Sequence, residues 1–247
     1  MLVKVTVKYD GSRYYGWQTQ KPGIKKYKTI EEIINKRVSI LNKRETEVVA
    51  SGRTDRGVHA LGQVFHFEND HNIPVTRLAN ALNNALPDDI EIIKVEEVAD
   101  DFHARFSAVS KEYHYYLNMG EFNLFEKDYI TQYNKPLDID LMQRASKLFV
   151  GTHDFRAFNT TPLSEKRNQV RTIHKVDVVL DGDLVIFKIA GNSFLRHMVR
   201  MIVGMLIYVG NGKYSIKDVE DLLKLKNAKN VPYNTKPNGL YLIKVSY

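Results

Sequence analysis

The chain of 247 residues is long enough for one large or two small domains, and its composition, 43% hydrophobic and 26% charged, is typical of a globular protein. The sequence has no cysteine, which excludes disulfides, thiolate nucleophiles and cysteine-rich zinc sites. Lys and Arg number 36 against 29 acidic residues, and the resulting net charge of +7 favours a polyanionic partner, with nucleic acid ahead of a membrane.

The N-terminal half reads as mixed strands and helices. Apolar and polar residues alternate from Val3 to Tyr9, which predicts a half-buried strand rather than a signal peptide. Thr29 followed by Glu32 predicts a capping box before a helix that reaches about Leu41. Further strands are predicted at 46–51, 62–69 and 91–98, and a helix containing Leu78 and Leu82 is predicted to stop before Pro87.

The C-terminal half continues without strict alternation of strand and helix. Strands are predicted at 106–119, 172–180, 184–190 and 240–247, and helices at 138–149, 193–208 and 215–225. This order predicts an α+β fold with a largely antiparallel sheet. We expect two subdomains, 1–104 and 105–247. The longest apolar run, 201–210, is too short to span a bilayer, so a cytoplasmic location is expected.

The stretch SGRTDRGVHA, residues 51–60, concentrates charge on a predicted loop between two strands. Asp55 stands between Arg53 and Arg56, and Gly52 and Gly57 allow the main chain to bend. Neighbouring guanidinium groups lower the pKa of a carboxyl group, which predicts an anion suited to act as a nucleophile or electrostatic stabiliser. The alternative is a surface turn with an incidental ion pair.

The predicted helix from Ser193 to Tyr208 is apolar on nearly every face after its first turns, which indicates burial. Arg196, His197 and Arg200 crowd its beginning, where the helix dipole disfavours cations. Arg196 and Arg200 are expected one turn apart on one face. A buried arginine needs an acidic or phosphate partner, whereas a surface arginine extends into solvent; the second interpretation suits Arg196 and the first suits Arg200.

Three tyrosines, Tyr113, Tyr115 and Tyr116, lie on one predicted strand that follows Arg105. Basic and aromatic residues together suit a surface that stacks unpaired RNA bases, although aromatic strand residues more often belong to the core. Tyr113 and Tyr115 share a face of the strand, and Tyr116 points to the other.

No metal site is predicted, because the eight histidines lack ligand spacing and no HExxH or EF-hand pattern occurs. His59 is interpreted as structural. The acid pairs Asp88–Asp89 and Asp100–Asp101 are interpreted as loop charges.

Several separate stretches, in the same order along nearly the whole chain, resemble the motifs of the tRNA pseudouridine synthase A family. They are YDGSRYYGWQ at 9–18, GRTDRGVHA with GQVFHF at 52–67, NNALPDDI at 83–90, DFHARFSAVSKEYHYY at 101–116, DF at 154–155, VRTI at 170–173, FLRHMVRMIVG at 194–204 and GLYLIKV at 239–245.

The resemblance implies a tRNA pseudouridine synthase that isomerises uridine at positions 38 to 40 of the anticodon stem-loop. It implies that Asp55 begins the reaction, that Tyr113 packs against the target base, and that Arg200 pairs with the catalytic acid. Arg53, Arg56 and Arg105 are expected to bind RNA. The implied fold is two α+β subdomains joined by a largely antiparallel sheet with a basic cleft between them, usually in a homodimer, with no cofactor and no metal.

The sequence leaves the chemical step and the substrate open. Asp55 could attack ribose C1′, attack uracil C6, or assist elimination to a glycal. The alternatives to the implied function are a synthase of the same fold that acts at a different RNA position and a non-catalytic RNA-binding protein. Two lysine clusters are further predicted to bind tRNA; they comprise Lys25, Lys26 and Lys28, and Lys224, Lys226 and Lys229.

Three positions depart from the family pattern. Arg56 stands where a small residue or lysine is more usual, and Glu31 stands where glutamine is common. Thr235 and Lys236 replace an Ala-Pro pair, so the C-terminal loop is expected to differ in detail. None of these positions is Asp55, Tyr113 or Arg200.

Overall fold

The computed structural model describes residues 1–19, 28–71, 73–160, 168–224 and 233–247. The chain divides into two compact units, unit 1 comprising Met1–Val109 and Tyr241–Tyr247, and unit 2 comprising Ser110–Leu240. The division differs from the predicted boundary between residues 104 and 105. The end of the chain returns to unit 1, where Val109 N donates a hydrogen bond to Ser246 O (2.9 Å).

Unit 1 is a sheet with two helices. Its strands are β1 (Leu2–Tyr9), β2 (Val49–Ala50), β3 (His59–Glu68), β4 (Ile90–Glu97) and β10 (Leu240–Ser246), and its helices are α1 (Ile30–Asn42) and α2 (Val75–Asn83). The strand order is β4-β1-β3-β10, and β2 pairs with β3. The β10–β3 pair is parallel, and the β1–β3, β1–β4 and β2–β3 pairs are antiparallel.

Alternation places one face of β1 in the core, as predicted. Val3, Val5 and Val7 are fully buried, and Trp17 packs near Phe65 with ring centroids 6.1 Å apart. The N-cap of α1 is also confirmed, because Thr29 Oγ1 accepts from Glu32 N (3.4 Å).

Unit 2 contains the remaining strands and helices. The strands are β5 (Ser110–Asn118), β6 (Thr131–Gln132), β7 (Gly151–Asp154), β8 (Val170–Asp181) and β9 (Leu184–Gly191), and the helices are α3 (Ile139–Ser146), α4 (Met198–Gly210) and α5 (Ile216–Lys224). The strand order is β5-β9-β8-β7, antiparallel throughout, and β6 pairs in parallel with β5. The fold class predicted from sequence, α+β with largely antiparallel strands, is confirmed.

Two predicted strands are shorter in the structure because other groups engage their main-chain donors. Before β2, Val48 N donates to Asn35 Oδ1 (2.9 Å) and Thr46 N donates to Ser39 Oγ (2.9 Å), so α1 holds this segment away from the sheet. Before β5, Ser107 N donates to His103 O (2.8 Å), which closes a turn where the strand was predicted to begin.

The helix predicted from Ser193 begins instead at Met198, and this part of the prediction was wrong. His197, the N-cap, has a left-handed backbone conformation with φ of 62°. The hydroxyl of Thr160 is 2.8 Å from His197 Nδ1, and Thr160 N donates to Arg196 O (3.3 Å). These bonds hold residues 193–197 outside the helix, so Arg196 is not one helical turn before Arg200.

The predicted burial of α4 is confirmed, since eleven of its thirteen residues are buried. In the described parts of the chain, no helix combines the length and apolarity that a membrane crossing requires.

Candidate active site

The loop that joins β2 to β3, residues 51–58, carries Asp55. This residue is half-buried, and Arg53 and Arg56 on either side are exposed. Val58 N donates to Asp55 O (3.1 Å), and Gly57 has a φ of +76°, so the chain turns directly after the acid. The glycine predicted to allow a bend does so at Gly57.

The start of this loop is anchored by a buried glutamine. Gln63 on β3 accepts from Ser51 Oγ (2.8 Å) through Oε1 and donates to Gly52 O (2.9 Å) through Nε2. Gln63 is fully buried, so water does not compete for these bonds. Ser51 N also donates to Val64 O (2.7 Å). The first two residues of the loop are therefore fixed to β3.

Thr54, directly before the acid, is bonded through both main chain and side chain. Trp17 N donates to Thr54 O (3.1 Å), and the hydroxyls of Thr54 and Tyr9 are 2.8 Å apart. Burial raises the pKa of Tyr9, so its hydroxyl stays protonated and able to donate. The position of Asp55 along the loop is thus determined by residues on β1 and on the segment 10–17.

Two glycines let the segment 10–17 lie directly against the loop. A Cβ atom on Gly16, which has a φ of +86°, would come within 2.6 Å of Thr54 O, and one on Gly11 would come within 2.0 Å of Val58 O. Any side chain at either position would therefore displace the main chain of the loop that carries Asp55. Gly52 and Gly57 belong to the stretch 51–60 itself. Gly11 and Gly16, which lie against the loop from outside, belong to a separate stretch of the chain.

Polar contacts secure the same segment from outside. Tyr14 donates a short hydrogen bond to Asp89, and Tyr14 O accepts from Gly57 N (3.3 Å). Burial, and then the Asp89 carboxylate, raise the pKa of Tyr14. The interpretation of Asp89 as a simple loop charge was wrong, because it holds Tyr14.

Arg56 lies over the ring of Tyr15, with its guanidinium carbon 4.0 Å from the ring centroid. This cation–π contact orients an otherwise flexible and exposed side chain. A lysine would not stack in the same way, since the planar guanidinium group is what matches the ring.

His59, the first residue of β3, is buried beneath the loop. Its Nδ1 accepts from Gly11 N (3.1 Å) and lies 3.2 Å from Asp10 Oδ1, and its ring stacks on Tyr241 with centroids 4.6 Å apart. These contacts join the segment 10–17 to β3 and β10, which supports the structural interpretation of this histidine.

The remaining predicted site residues are distributed between the units. Arg105 belongs to unit 1, is exposed, and has its guanidinium carbon 5.7 Å from the ring centroid of Phe106. Tyr113 and Arg200 belong to unit 2. Tyr113 on β5 is buried except for 9% of its surface and meets Phe194 edge to face at 5.2 Å.

Arg200 lies in the first turn of α4 and is half-buried. Its Nε donates to Thr235 O (2.7 Å), and Thr235 Oγ1 donates back to Arg200 O (3.1 Å). The sequence did not predict these two hydrogen bonds between Arg200 and Thr235. The one signal in the sequence that pointed to this segment was the departure of Thr235 and Lys236 from the family pattern. The predicted pairing of Asp55 with Arg200 stays a prediction.

Two other predictions from the sequence concern a metal site and the two lysine clusters. Among the described residues, no group of three or more His, Asp or Glu side chains is placed to hold a metal ion. Lys25, Lys26, Lys226 and Lys229 of the predicted lysine clusters lie outside the described residues.

The loop can present a half-buried carboxylate at a fixed position, with two exposed guanidinium groups beside it. A carboxylate so placed can act as a nucleophile or stabilise a developing positive charge. The exposed arginines can neutralise phosphates.

Known proteins resemble this chain over nearly its whole length. A family described as tRNA pseudouridine synthase matches residues 5–107 and 145–247. A protein of Oceanobacillus iheyensis named tRNA pseudouridine synthase A is 41% identical over 247 residues, which cover 99% of this chain and 96% of that protein. A protein of the same name from Bacillus licheniformis is 42% identical over 250 residues, covering 100% of this chain and 99% of that protein.

Proposed function

The chain belongs to the tRNA pseudouridine synthase family, and from this premise we propose that it isomerises uridine to pseudouridine at positions 38 to 40 of the tRNA anticodon stem-loop, with Asp55 as the catalytic nucleophile. Pseudouridine synthases are isomerases. The observation that carries the role of Asp55 is the anchoring of its loop by buried tyrosines, Tyr9 at Thr54 before the acid and Tyr14 at Gly57 after it, while Asp55 itself stays half-exposed.

The reaction exchanges one bond for another within a single nucleotide. The glycosidic bond between ribose C1′ and uracil N1 breaks, the base rotates, and C1′ joins to C5. The proton on C5 is lost and N1 gains one, so atoms and electrons balance without an oxidant or reductant. In this scheme the Asp55 carboxylate supplies the electron pair that begins the exchange, and it recovers that pair when its own bond to the nucleotide breaks, so the carboxylate is regenerated. The target base must leave its stack to reach a carboxylate at the protein surface.

Tyr113 and Arg200 complete the proposed site. Arg200 is the residue proposed to pair with the Asp55 carboxylate, because its planar guanidinium group matches a carboxylate. Tyr113 packs against the target base; its position on β5 and its contact with Phe194 fix the plane of its ring.

Arg53, Arg56 and Arg105 bind tRNA phosphates. All three are exposed, and Arg56 and Arg105 lie beside aromatic rings that restrict their motion. Phosphate contacts position the RNA without reading its sequence, so these residues set affinity rather than the choice of uridine. A tRNA substrate is consistent with a cytoplasmic location.

The test of substrate position is a map of pseudouridine in tRNA. Unmodified tRNA transcripts are incubated with the purified protein, and modified uridines are located by chemical mapping, with the Asp55→Asn variant as the blank. Pseudouridine at positions 38 to 40 supports the proposal. Modification elsewhere favours the alternative of a synthase directed to another RNA position. Binding without modification favours a non-catalytic RNA-binding protein.

We also propose that two copies of the chain associate through an exposed aromatic loop in unit 2. Phe125 is 90% exposed, and Phe122, Leu124 and Tyr129 are exposed beside it in sequence. The loop has a defined conformation, since Phe125 N donates to Asn123 Oδ1 (3.0 Å) and Asn123 N donates to Gln132 Oε1 (2.9 Å). An ordered loop that presents large apolar side chains is typical of a protein interface.

The charges on this loop favour a protein, rather than RNA, as the macromolecule that binds it. Glu121, Glu126 and Asp128 outnumber Lys127, so a polyanion would be repelled, whereas the exposed aromatic side chains suit an apolar protein surface. Sedimentation of the Phe122→Ser, Phe125→Ser double variant should show a monomer at a concentration where the parent protein is a dimer. The exposed Phe106→Ser variant is the control. A dimer that persists in the double variant would refute this surface.

A further inference from the structure

Thr235 exchanges two hydrogen bonds with Arg200, one in each direction. Arg200 Nε donates to the main-chain oxygen of Thr235 (2.7 Å), and Thr235 Oγ1 donates to the main-chain oxygen of Arg200 (3.1 Å). Thr235 is fully buried, so its hydroxyl has no contact with bulk solvent. The side chain and the main chain of Arg200 are therefore both held by a single residue 35 positions later in the sequence.

The bond to Nε restricts how Arg200 can meet an anion. A guanidinium group carries its donors in a rigid planar fork, and fixing Nε fixes the plane in which the two terminal nitrogens lie. A carboxylate that pairs with Arg200 would then be met by the terminal nitrogens in a set orientation. Lysine could not take this role, because its donors share one freely rotating nitrogen and define no such plane.

The segment that carries Thr235 is itself held to α4. A Cβ atom on Gly204 would come within 2.4 Å of Tyr233 O, so the absence of a side chain there lets the segment lie against the helix. The ring of Tyr233 stacks on Tyr208 of the same helix, with centroids 4.9 Å apart.

The other side of the segment is bonded to β5. Tyr115 donates its hydroxyl hydrogen to Lys236 O (3.0 Å), and its hydroxyl is 2.7 Å from that of Thr131. Burial raises the pKa of Tyr115 to about 12, against the opposing effect of its hydrogen bonds with Thr131 and Thr235. A protonated Tyr115 keeps the donor that the Lys236 carbonyl needs, so the carbonyl that accepts from Arg200 lies on a firmly placed segment.

We propose that Thr235 is a positioning residue that sets the orientation of the Arg200 guanidinium for the isomerisation step. This inference rests on the proposed function, in which Arg200 pairs with the Asp55 carboxylate. Thr235 itself touches neither substrate nor the reacting atoms in this scheme; it acts through Arg200.

The test compares Thr235→Val with Thr235→Ser, which keeps the hydroxyl. Valine retains the main-chain oxygen that accepts from Arg200 Nε, but it lacks the hydroxyl whose bond to Arg200 O holds that oxygen in register with the guanidinium group. The matched control is Thr46→Val in unit 1, because Thr46 is also buried and its Oγ1 also donates to an arginine main-chain oxygen, that of Arg44 (3.2 Å). Each variant is measured for single-turnover pseudouridine formation, for tRNA affinity and for the midpoint of thermal unfolding.

We expect Thr235→Val to lower the single-turnover rate by about tenfold to a hundredfold, as for a small misplacement of a catalytic group, with tRNA affinity changed by less than about twofold. Thr235→Ser should recover most of the rate. Thr46→Val should lose a similar amount of thermal stability and keep its rate.

A Thr235→Val rate within about twofold of the parent rate would overturn the inference, as would a Thr235→Ser rate as low as that of Thr235→Val. Equal rate losses in Thr46→Val and Thr235→Val would also overturn it, because the effect would then follow stability alone. The Asp55→Asn variant is measured in parallel and tests the proposed function separately: an inactive Asp55→Asn with a fully active Thr235→Val rejects only the positioning role.

Discussion

At the scale of single residues, Asp55 owes its position to one neighbour outside the stretch 51–60, Trp17, and to one within it, Val58. The carbonyl before it accepts from Trp17 N (3.1 Å), and its own carbonyl accepts from Val58 N (3.1 Å). Replacing the carboxylate leaves these main-chain bonds in place, so a change of its chemistry can be separated from a change of the loop.

The substitution Asp55→Asn should therefore abolish pseudouridine formation while the protein still folds and binds tRNA. Asparagine keeps the size and hydrogen-bonding capacity of the side chain but lacks the charge and the nucleophilic oxygen. Binding should survive because it depends on many phosphate contacts. The measurement is pseudouridine yield together with tRNA affinity, and the exposed Asp88→Asn is the control for removal of one negative charge. A near-normal yield from Asp55→Asn would falsify the catalytic role.

Gly16 offers a second test, because its substitution acts on the loop from outside. Gly16→Ala places a Cβ atom 2.6 Å from Thr54 O at a φ of +86°, so the loop must shift. Gly212→Ala is the matched control, with a φ of +75° and no heavy atom within 4 Å of the new Cβ.

Both glycine variants should lose about 1–2 kcal/mol of unfolding free energy from the left-handed conformation. Only Gly16→Ala should also lower the rate of pseudouridine formation, by more than about tenfold. Urea unfolding and single-turnover rates distinguish the two effects. If Gly16→Ala matched Gly212→Ala in rate, close packing against the loop would not be needed for activity.

At the scale of secondary structure, β3 connects the loop to the turn at residues 103–107. His66 on β3 accepts from Ala104 N through Nδ1 (3.1 Å). Burial, and then the nearby His103, lower the pKa of His66 from its ordinary value of 6.5. Protonation of Nδ1 would remove the acceptor, so the folded state favours the neutral ring.

The sign of the resulting pH dependence follows from that lowered pKa. The stability that His66 contributes is fully present above pH 6.5, the pKa of the unfolded chain, and is lost as the pH falls through the lower folded value. His66→Asn keeps an acceptor but does not titrate, so its urea midpoint should change less between about pH 7.5 and about pH 5.5 than that of the parent protein. Parallel pH profiles of the two proteins would show that His66 does not contribute.

At the scale of the whole molecule, the net charge of +7 predicts that tRNA binding depends strongly on salt. Replacing Arg53, Arg56 and Arg105 by glutamine should reduce the slope of log affinity against log salt by roughly 0.7–0.9 for each phosphate that the variant no longer neutralises. The control replaces Lys94, Lys175 and Lys217, which form ion pairs with neighbouring acids.

The control removes the same total charge from surfaces that are not proposed to contact RNA. Binding constants at several salt concentrations provide the measurement. An affinity insensitive to salt would contradict the electrostatic attraction proposed between protein and tRNA, and equal slopes for the two triple variants would contradict the choice of the three arginines.

Much of the fold could be predicted because its signals are local. The alternation in β1, the cap at Thr29 and the apolar character of α4 are properties of adjacent residues, and each is confirmed. The start of α4 could not be predicted, because the bonds from Thr160 to Arg196 and His197 join residues far apart in sequence. The short β2 has a related cause, since side chains of α1 bind the main-chain donors that precede it.

By itself, the sequence determined the family, the fold class and the identity of Asp55 as the candidate catalytic acid, because these depend on residue types in a fixed order along the chain. Only the tertiary structure decided which residues contact the Asp55 loop and the Arg200 side chain: Gly16 and Tyr9 at the loop, and Thr235 at Arg200. The physical reason is that close approach and hydrogen bonding act between atoms brought together by folding, over distances that spacing in the sequence does not encode.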